Sequence, residues 1–328
     1  MPHILLTGAL GQIGRVLLQH LVDVHGADAV LATDLPFNEP DLPCAYRSLD
    51  ATDGVAWSEL SKEFQFKEVY HLVAVLSAKG EANPWRSWDI NMDAWRNVIE
   101  NATQWPDCKV FFPSSIAAYG PPLPAKVDES QALTPTTSYG VSKAAGEMWA
   151  DYAGVRFGLD VRCLRLPGVI GYQTMPGGGT TDYAVDIYHQ ALKGEMFTCF
   201  LAPDTRLPMI YMADVLRGVS ELMAAPREVL AKAKGNRATA IYNLDGFSVT
   251  PAELHAEIQK HLPDFQIEYA PDFRQEIAET WPQELDGKKA RETWSWQPNY
   301  DLASTTEDML TQLRKKKPSS TSTLKIPA

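Results

Sequence analysis

The first half of the chain alternates two apolar patterns. Short runs that are apolar at nearly every position occur at residues 3–7, 29–34, 68–75, 109–115 and 160–170. Between them, residues 13–24, 55–64, 84–105 and 139–157 repeat apolar positions with the period of a helix. A strand apolar at every position must be covered on both faces, and strands separated by whole helices are joined by crossovers. These runs therefore predict a parallel sheet with helices on both sides, an α/β doubly wound fold.

Beyond Gly171 the pattern is less regular. It predicts a Gly-Gly-Gly turn at 177–179, a helix over 182–192, short strands at 197–200 and 208–212, a helix from Ala213 and a strand at 241–244. A further helix over 251–261 has Thr250 as its cap and Pro251 at its first position. Residues 1–171 are read as the sheet domain, completed by parts of 206–245, and residues 172–314 mainly as a smaller C-terminal lobe over the ligand. Residues 315–328 have no apolar period and are expected to be a tail.

With 328 residues, 45% hydrophobic and 22% charged, the chain can bury a full core. Its formal net charge of -11 speaks against a nucleic-acid partner, because a phosphate backbone is held by concentrated Lys and Arg, and points to a small-molecule substrate. Cys44, Cys108, Cys163 and Cys199 form no C-x-x-C pair, so neither disulfides nor a metal site are expected. The amino terminus enters a strand without a basic region or cleavage site. No apolar stretch approaches the ~20 residues of a membrane span, so a cytoplasmic location without membrane contact is expected.

The string Thr7-Gly8-Ala9-Leu10-Gly11-Gln12-Ile13-Gly14 joins the first strand to the first helix. Its G-x-x-G-x-x-G spacing differs from the general G-x-G-x-x-G, but the roles carry over: a tight turn, close backbone approach to a pyrophosphate, and a helix packed on its strand. Gly8, Gly11, Gln12, Ile13 and Gly14 are thus expected to seat a dinucleotide on the helix N-terminus, a bare turn being the alternative. Asp34 ends the next strand, where a carboxylate accepts both ribose hydroxyls of NAD and repels the extra phosphate of NADP. The expected cofactor is NAD and the fold Rossmann-type. Asp50 either reaches the adenine amino group or caps the following helix. Leu72, Ala74 and Leu166 are expected to border the cofactor, the alternative being plain core.

Tyr139 and Lys143 lie four residues apart on a predicted helix, on one face with Cβ atoms roughly 5–6 Å apart. A free phenol with a pKa of about 10 is a poor base at neutral pH. A nearby ammonium and a cationic nicotinamide favour the phenolate, letting Tyr139 accept a hydroxyl proton, and Lys143 can also hold the nicotinamide ribose. Ser115 ends a predicted strand, and ligands of open α/β sheets lie outside such ends, where its hydroxyl can orient the reacting oxygen.

A strand-end Ser, a later Tyr-x-x-x-Lys and T-G-x-x-G-x-x-G together resemble the extended short-chain dehydrogenase/reductase family, over roughly residues 1–310. Residues 71–80, 113–117, 176–184 and 207–212 are most similar to the short-chain type of L-threonine 3-dehydrogenase in that family, the Gly-Gly-Gly-Thr-Thr string above all. The resemblance implies oxidation of the threonine 3-hydroxyl by NAD to 2-amino-3-oxobutyrate. It also implies that Ser77 and Ser114 meet the polar ends of the substrate and that Trp281 closes the pocket. Gly179, Thr180 and Thr181 precede a predicted helix, whose free amides are expected to receive the carboxylate. Alternatively, Thr180 or Thr181 only caps the helix and Trp281 is core.

A nucleotide-sugar epimerase or dehydratase of the same fold is the alternative enzyme, and a non-catalytic dinucleotide-binding regulator the alternative outside catalysis. Against the epimerase, Arg206 is the only cation beside Leu207-Pro208-Met209, where sugar-nucleotide relatives carry a basic string. The 84–105 helix, with Trp85, Trp88, Trp95, Ile90, Met92, Val98 and Ile99, and the 139–157 helix, with Met148, Trp149 and Tyr152, hold more apolar surface than one sheet needs. They predict a homodimer pairing these helices, unless a lid or the tail covers them.

Overall fold

In the computed structural model the described residues are 2–36, 41–175, 177–233 and 238–315. The expected tail lies outside them, apart from Lys315, which closes the last helix, Leu302–Lys315. The chain runs β1 (Ile4–Thr7), α1 (Gln12–His25), β2 (Val30–Asp34), β3 (Ala45–Ser48), α2 (Gly54–Glu63), β4 (Glu68–His71), α3 (Ser77–Glu81), α4 (Pro84–Ala102) and β5 (Lys109–Ser115). It continues through β6 (Lys126–Val127), α5 (Ser138–Phe157), β7 (Asp160–Leu166), β8 (Gly168–Ile170), α6 (Tyr183–Lys193), β9 (Phe197–Cys199), β10 (Leu207–Tyr211), α7 (Met212–Ala224) and, after one further helix, β11 (Ala240–Asn243).

Seven strands form one sheet in the order β11-β7-β5-β4-β1-β2-β3, and every pairing in it is parallel. This is the doubly wound α/β architecture. Each strand feeds both faces: Ile4 and Leu6 pack with α1 and α7, while Leu5, between them, packs with α2, α4 and α5. A third core, built on α6, the helix Pro251–Gln259 and the C-terminal helix, fills the smaller lobe. Thr250 caps Pro251–Gln259 as expected, in a reciprocal capping box with Glu253. Among the described residues no helix is long and apolar enough to cross a membrane, and no group of three His, Cys, Asp or Glu is placed to hold a metal. The four cysteines are free thiols.

Three differences from the sequence reading bear on the site. The run at 68–75 is a strand only to His71, because the backbone of Val75 bonds to the Asn91 side chain of α4 (2.7 and 3.3 Å) instead of to a neighbouring strand. The run at 160–170 breaks at Pro167, which has no N–H: β7 stays in the main sheet while β8 pairs with β10 in a second, three-stranded sheet. On α4, Trp95, Val98 and Ile99 are spent in the core and Trp85 is exposed, whereas α5 leaves Val141, Met148, Trp149, Tyr152 and Val155 exposed.

Candidate active site

From β1 the chain moves outward to β2 and β3 and then returns to the other side of β1 as β4, so a crevice opens at the carboxyl ends of β1 and β4. A cavity of about 390 Å³ lies there. It is lined by Gly8, Gly11, Gln12, Ile13 and Gly14 from the first loop, Leu72 and Ala74 after β4, and Ser114 and Ser115 from β5. Tyr139 and Lys143 from α5, Leu166 from β7, and Ser77, Gly179, Thr180, Thr181 and Trp281 also line it. Asp34 and Asp50 are not among the lining residues.

The glycine loop fits a dinucleotide. A Cβ built on Gly14 would stand 2.1 Å from the Gly8 carbonyl oxygen, so only glycine lets α1 close on the loop. Gly11, which precedes α1, places no side chain on the first-turn amides, which have no partners within the helix. Asp34 is pinned beside the loop by the N–H groups of Leu10 and Leu35 (2.8 Å each). The Asp50 carboxylate accepts the amide and hydroxyl of Thr52, at 2.9 and 2.7 Å. The cap of α2 is Asp53, so the capping alternative for Asp50 falls.

The chemical groups converge on the far wall. Thr137 caps α5 by accepting the Gly140 N–H at 3.0 Å. A Cβ on Gly140 would stand 2.1 Å from the Ala117 carbonyl oxygen, so the glycine lets α5 approach the turn that follows Ser115. The Ser115 hydroxyl accepts the Ala117 N–H at 3.1 Å and lies near enough to the Tyr139 phenol to act on its titration. The Lys143 ammonium donates to the Pro113 carbonyl at 2.7 Å and stands 5.4 Å from the Tyr139 ring centre.

Burial dominates the electrostatics. Desolvation pushes the Tyr139 phenol up to about 12, with the Ser115 hydroxyl pulling the other way. It brings the Lys143 ammonium down to about 8, against the raising influence of Cys163 and Glu147. The lysine's charge is engaged by the Pro113 carbonyl, and burial by itself favours the protonated phenol.

The loop at 177–181 also departs from expectation. The amides of Gly178 and Gly179 both donate to Asp182 Oδ2 at 2.7 Å, and the Thr180 amide donates to Ser77 Oγ at 3.3 Å. The carboxylate four residues beyond Gly178 bends back and takes two of the donors expected to await an anion. Asp182, rather than Thr180 or Thr181, occupies the cap position of α6. Trp281 is both core and cavity wall.

Sequence reasoning missed four residues here. Lys79 is exposed on α3 and lines the cavity, its stem against Gly178. Asp182 holds the loop. Ser114, expected to face substrate, donates its hydroxyl proton to Glu147 at 2.6 Å, and Glu147 pairs with Arg165. Two charged residues inside apolar stretches, one of them a helical turn beyond Lys143, were the available signal.

A family profile described as the NAD dependent epimerase/dehydratase family matches residues 4–243. Among curated proteins, an uncharacterized epimerase/dehydratase of Staphylococcus haemolyticus is 40% identical over 321 residues, 96% of this chain and 99% of that one. Among solved structures, the GalE-like L-threonine dehydrogenase from Cupriavidus necator in its holo form is 43% identical, with a TM-score of 0.90 over 95% of this chain and 100% of that one. A monomeric L-threonine 3-dehydrogenase from a metagenome database is 40% identical, with a TM-score of 0.90 over 95% and 99%.

Proposed function

Because the chain belongs to the NAD dependent epimerase/dehydratase family, we propose that it is an L-threonine 3-dehydrogenase, oxidising the 3-hydroxyl of L-threonine to 2-amino-3-oxobutyrate. The observation that carries the reading is the meeting of Ser115, Tyr139 and Lys143 in one cavity with the 177–181 loop, in a chain 43% identical to a solved L-threonine dehydrogenase. Bound NAD supplies the hydride acceptor and a cationic ring. Ser115 hydrogen-bonds the substrate hydroxyl and holds it toward Tyr139. Tyr139, brought to its phenolate by the positive charge beside it, takes the hydroxyl proton as the carbon–hydrogen bond breaks. Lys143 adds its charge and can hold the nicotinamide ribose.

Ser77, Gly179, Thr180 and Thr181 would surround the carboxylate. Lys79, with Lys143 one of the two cations among the described residues that line the cavity, would complement its charge, since the Gly178 and Gly179 amides are already bonded. Gly8, Gly11, Gln12, Ile13 and Gly14 would cradle the pyrophosphate, Asp34 the adenosine ribose, Asp50 the adenine edge, and Leu72, Ala74 and Leu166 the apolar faces. A nucleotide sugar fits less well: Arg206 is engaged by Glu253 and the Ser248 carbonyl, and among the described residues no arginine lines the cavity.

Residues 1–171 with β11 would form the cofactor domain and residues 172–314 mainly the substrate lobe. The apolar outer face of α5 supports a homodimer, and the free thiols a reducing, cytoplasmic setting. The test is Tyr139→Phe: turnover of L-threonine falls roughly 10²–10⁴-fold while NADH still binds. Near-normal turnover in that variant contradicts the assignment.

A further inference from the structure

Glu147 and Arg165 form an ion pair whose side chains are 0% and 1% exposed, directly beneath the reacting groups. A buried pair of this kind contributes little net stability compared with apolar packing of the same size. Its value lies in what it joins. Glu147 stands one turn beyond Lys143 on α5, the helix that also carries Tyr139. Its Oε1 accepts the Ser114 hydroxyl of β5 at 2.6 Å and the Arg165 Nε of β7 at 2.8 Å, and its Oε2 accepts Arg165 Nη2 at 2.6 Å.

The far side of the guanidinium is fixed as well. Arg165 Nη1 donates to the Tyr119 hydroxyl at 2.8 Å, and that hydroxyl donates to Asn243 Oδ1 of β11, also at 2.8 Å. One carboxylate therefore spans a helix and two strands, and the strand residue it holds immediately precedes Ser115.

We propose that Glu147 is a positioning residue: through Ser114 and Arg165 it sets the separation between Ser115 on β5 and the Tyr139–Lys143 face of α5. Ser114 then acts through Glu147 and not on the substrate. A misplacement of about 1 Å at a reacting group costs up to ~10²-fold in rate, so loosening the clamp lowers kcat and leaves the binding constants nearly unchanged.

The test is a cycle of Ser114→Ala, Glu147→Gln and the double variant, assayed by NAD reduction with whichever hydroxyl substrate the wild type oxidises. Each single change is expected to lower kcat about tenfold or more, with KM values within about twofold of wild type. The double variant is expected to be no slower than Glu147→Gln alone, because both changes break one link. Urea unfolding reports on the fold. If Glu147→Gln does not fold, Ser114→Ala, which leaves the ion pair intact, decides alone. A Ser114→Ala enzyme with wild-type kcat, or one changed only in KM for the hydroxyl substrate, overturns the proposal, as do single effects that multiply. A wild type that oxidises another alcohol and not L-threonine refutes the threonine reading and leaves this test in force.

Discussion

Replacing Gly14 by Ala puts a methyl group where α1 meets the glycine loop. The new Cβ would stand 2.1 Å from the Gly8 carbonyl oxygen and 2.9–3.0 Å from the Ala9 backbone, and none of these atoms can swing aside. Ordinary Cβ contacts begin at 3.4 Å, so the start of α1 must retreat by about 1.3 Å. The first-turn residues of α1, which line the cavity, retreat with it. Overpacking of this kind costs ~1–3 kcal/mol, and losing one hydrogen bond to a charged group costs ~1.5–3 kcal/mol. The predicted loss of NADH affinity is therefore roughly 10–100-fold, read by fluorescence titration. Gly54→Ala is the control: it is also a first-turn glycine, but its added Cβ would meet only the Asn97 side chain, at 3.4 Å. A folded Gly14→Ala protein that binds NADH within about twofold of wild type refutes the seating of the cofactor on α1.

His71, 2.8 Å from Thr7 Oγ1 and stacked on Trp95, is brought by burial from 6.5 down to about 3. The folded protein keeps it neutral while the unfolded chain binds a proton below about pH 6.5, so stability falls as pH drops from there toward 3. Between pH 7 and 4 the wild type should lose about 3 kcal/mol more than His71→Gln in urea unfolding, and parallel losses would contradict this. Thr181→Ala and Lys79→Gln should each raise KM for L-threonine roughly tenfold with KM for NAD steady; a rise in the NAD constant instead would move these residues to the cofactor. Val155→Glu, at a position 77% exposed on α5, should convert a dimer to a monomer by light scattering, and a monomeric wild type would remove the dimer proposal.

The sheet was legible because both-face apolar runs such as 109–115 have one structural solution, and β5 spans those residues. β3 went unread because an edge strand has no buried alternation to display, and its residues are exposed or half-buried. Tyr139, Lys143 and Ser115 could be read because their spacing and strand-end position have chemical meaning. What escaped was polar. Asn91 holding the segment after β4, Asp182 folding back on its own loop, and Glu147 clamping β5 and β7 depend on partners 4 to 33 residues away. A single sequence names such groups without saying which of them meet. The same blindness assigned the loop amides to a ligand when a carboxylate four residues along already held them.

L-Threonine deuterated at carbon 3, incubated with the protein and NAD and followed by mass spectrometry of the cofactor, reports whether hydride passes from that carbon to the nicotinamide. An L-threonine 3-dehydrogenase yields singly deuterated NADH in stoichiometric amount together with 2-amino-3-oxobutyrate or its decarboxylation product. Cofactor that stays oxidised and unlabelled, while a nucleotide sugar is interconverted in the same preparation, would contradict the proposed activity.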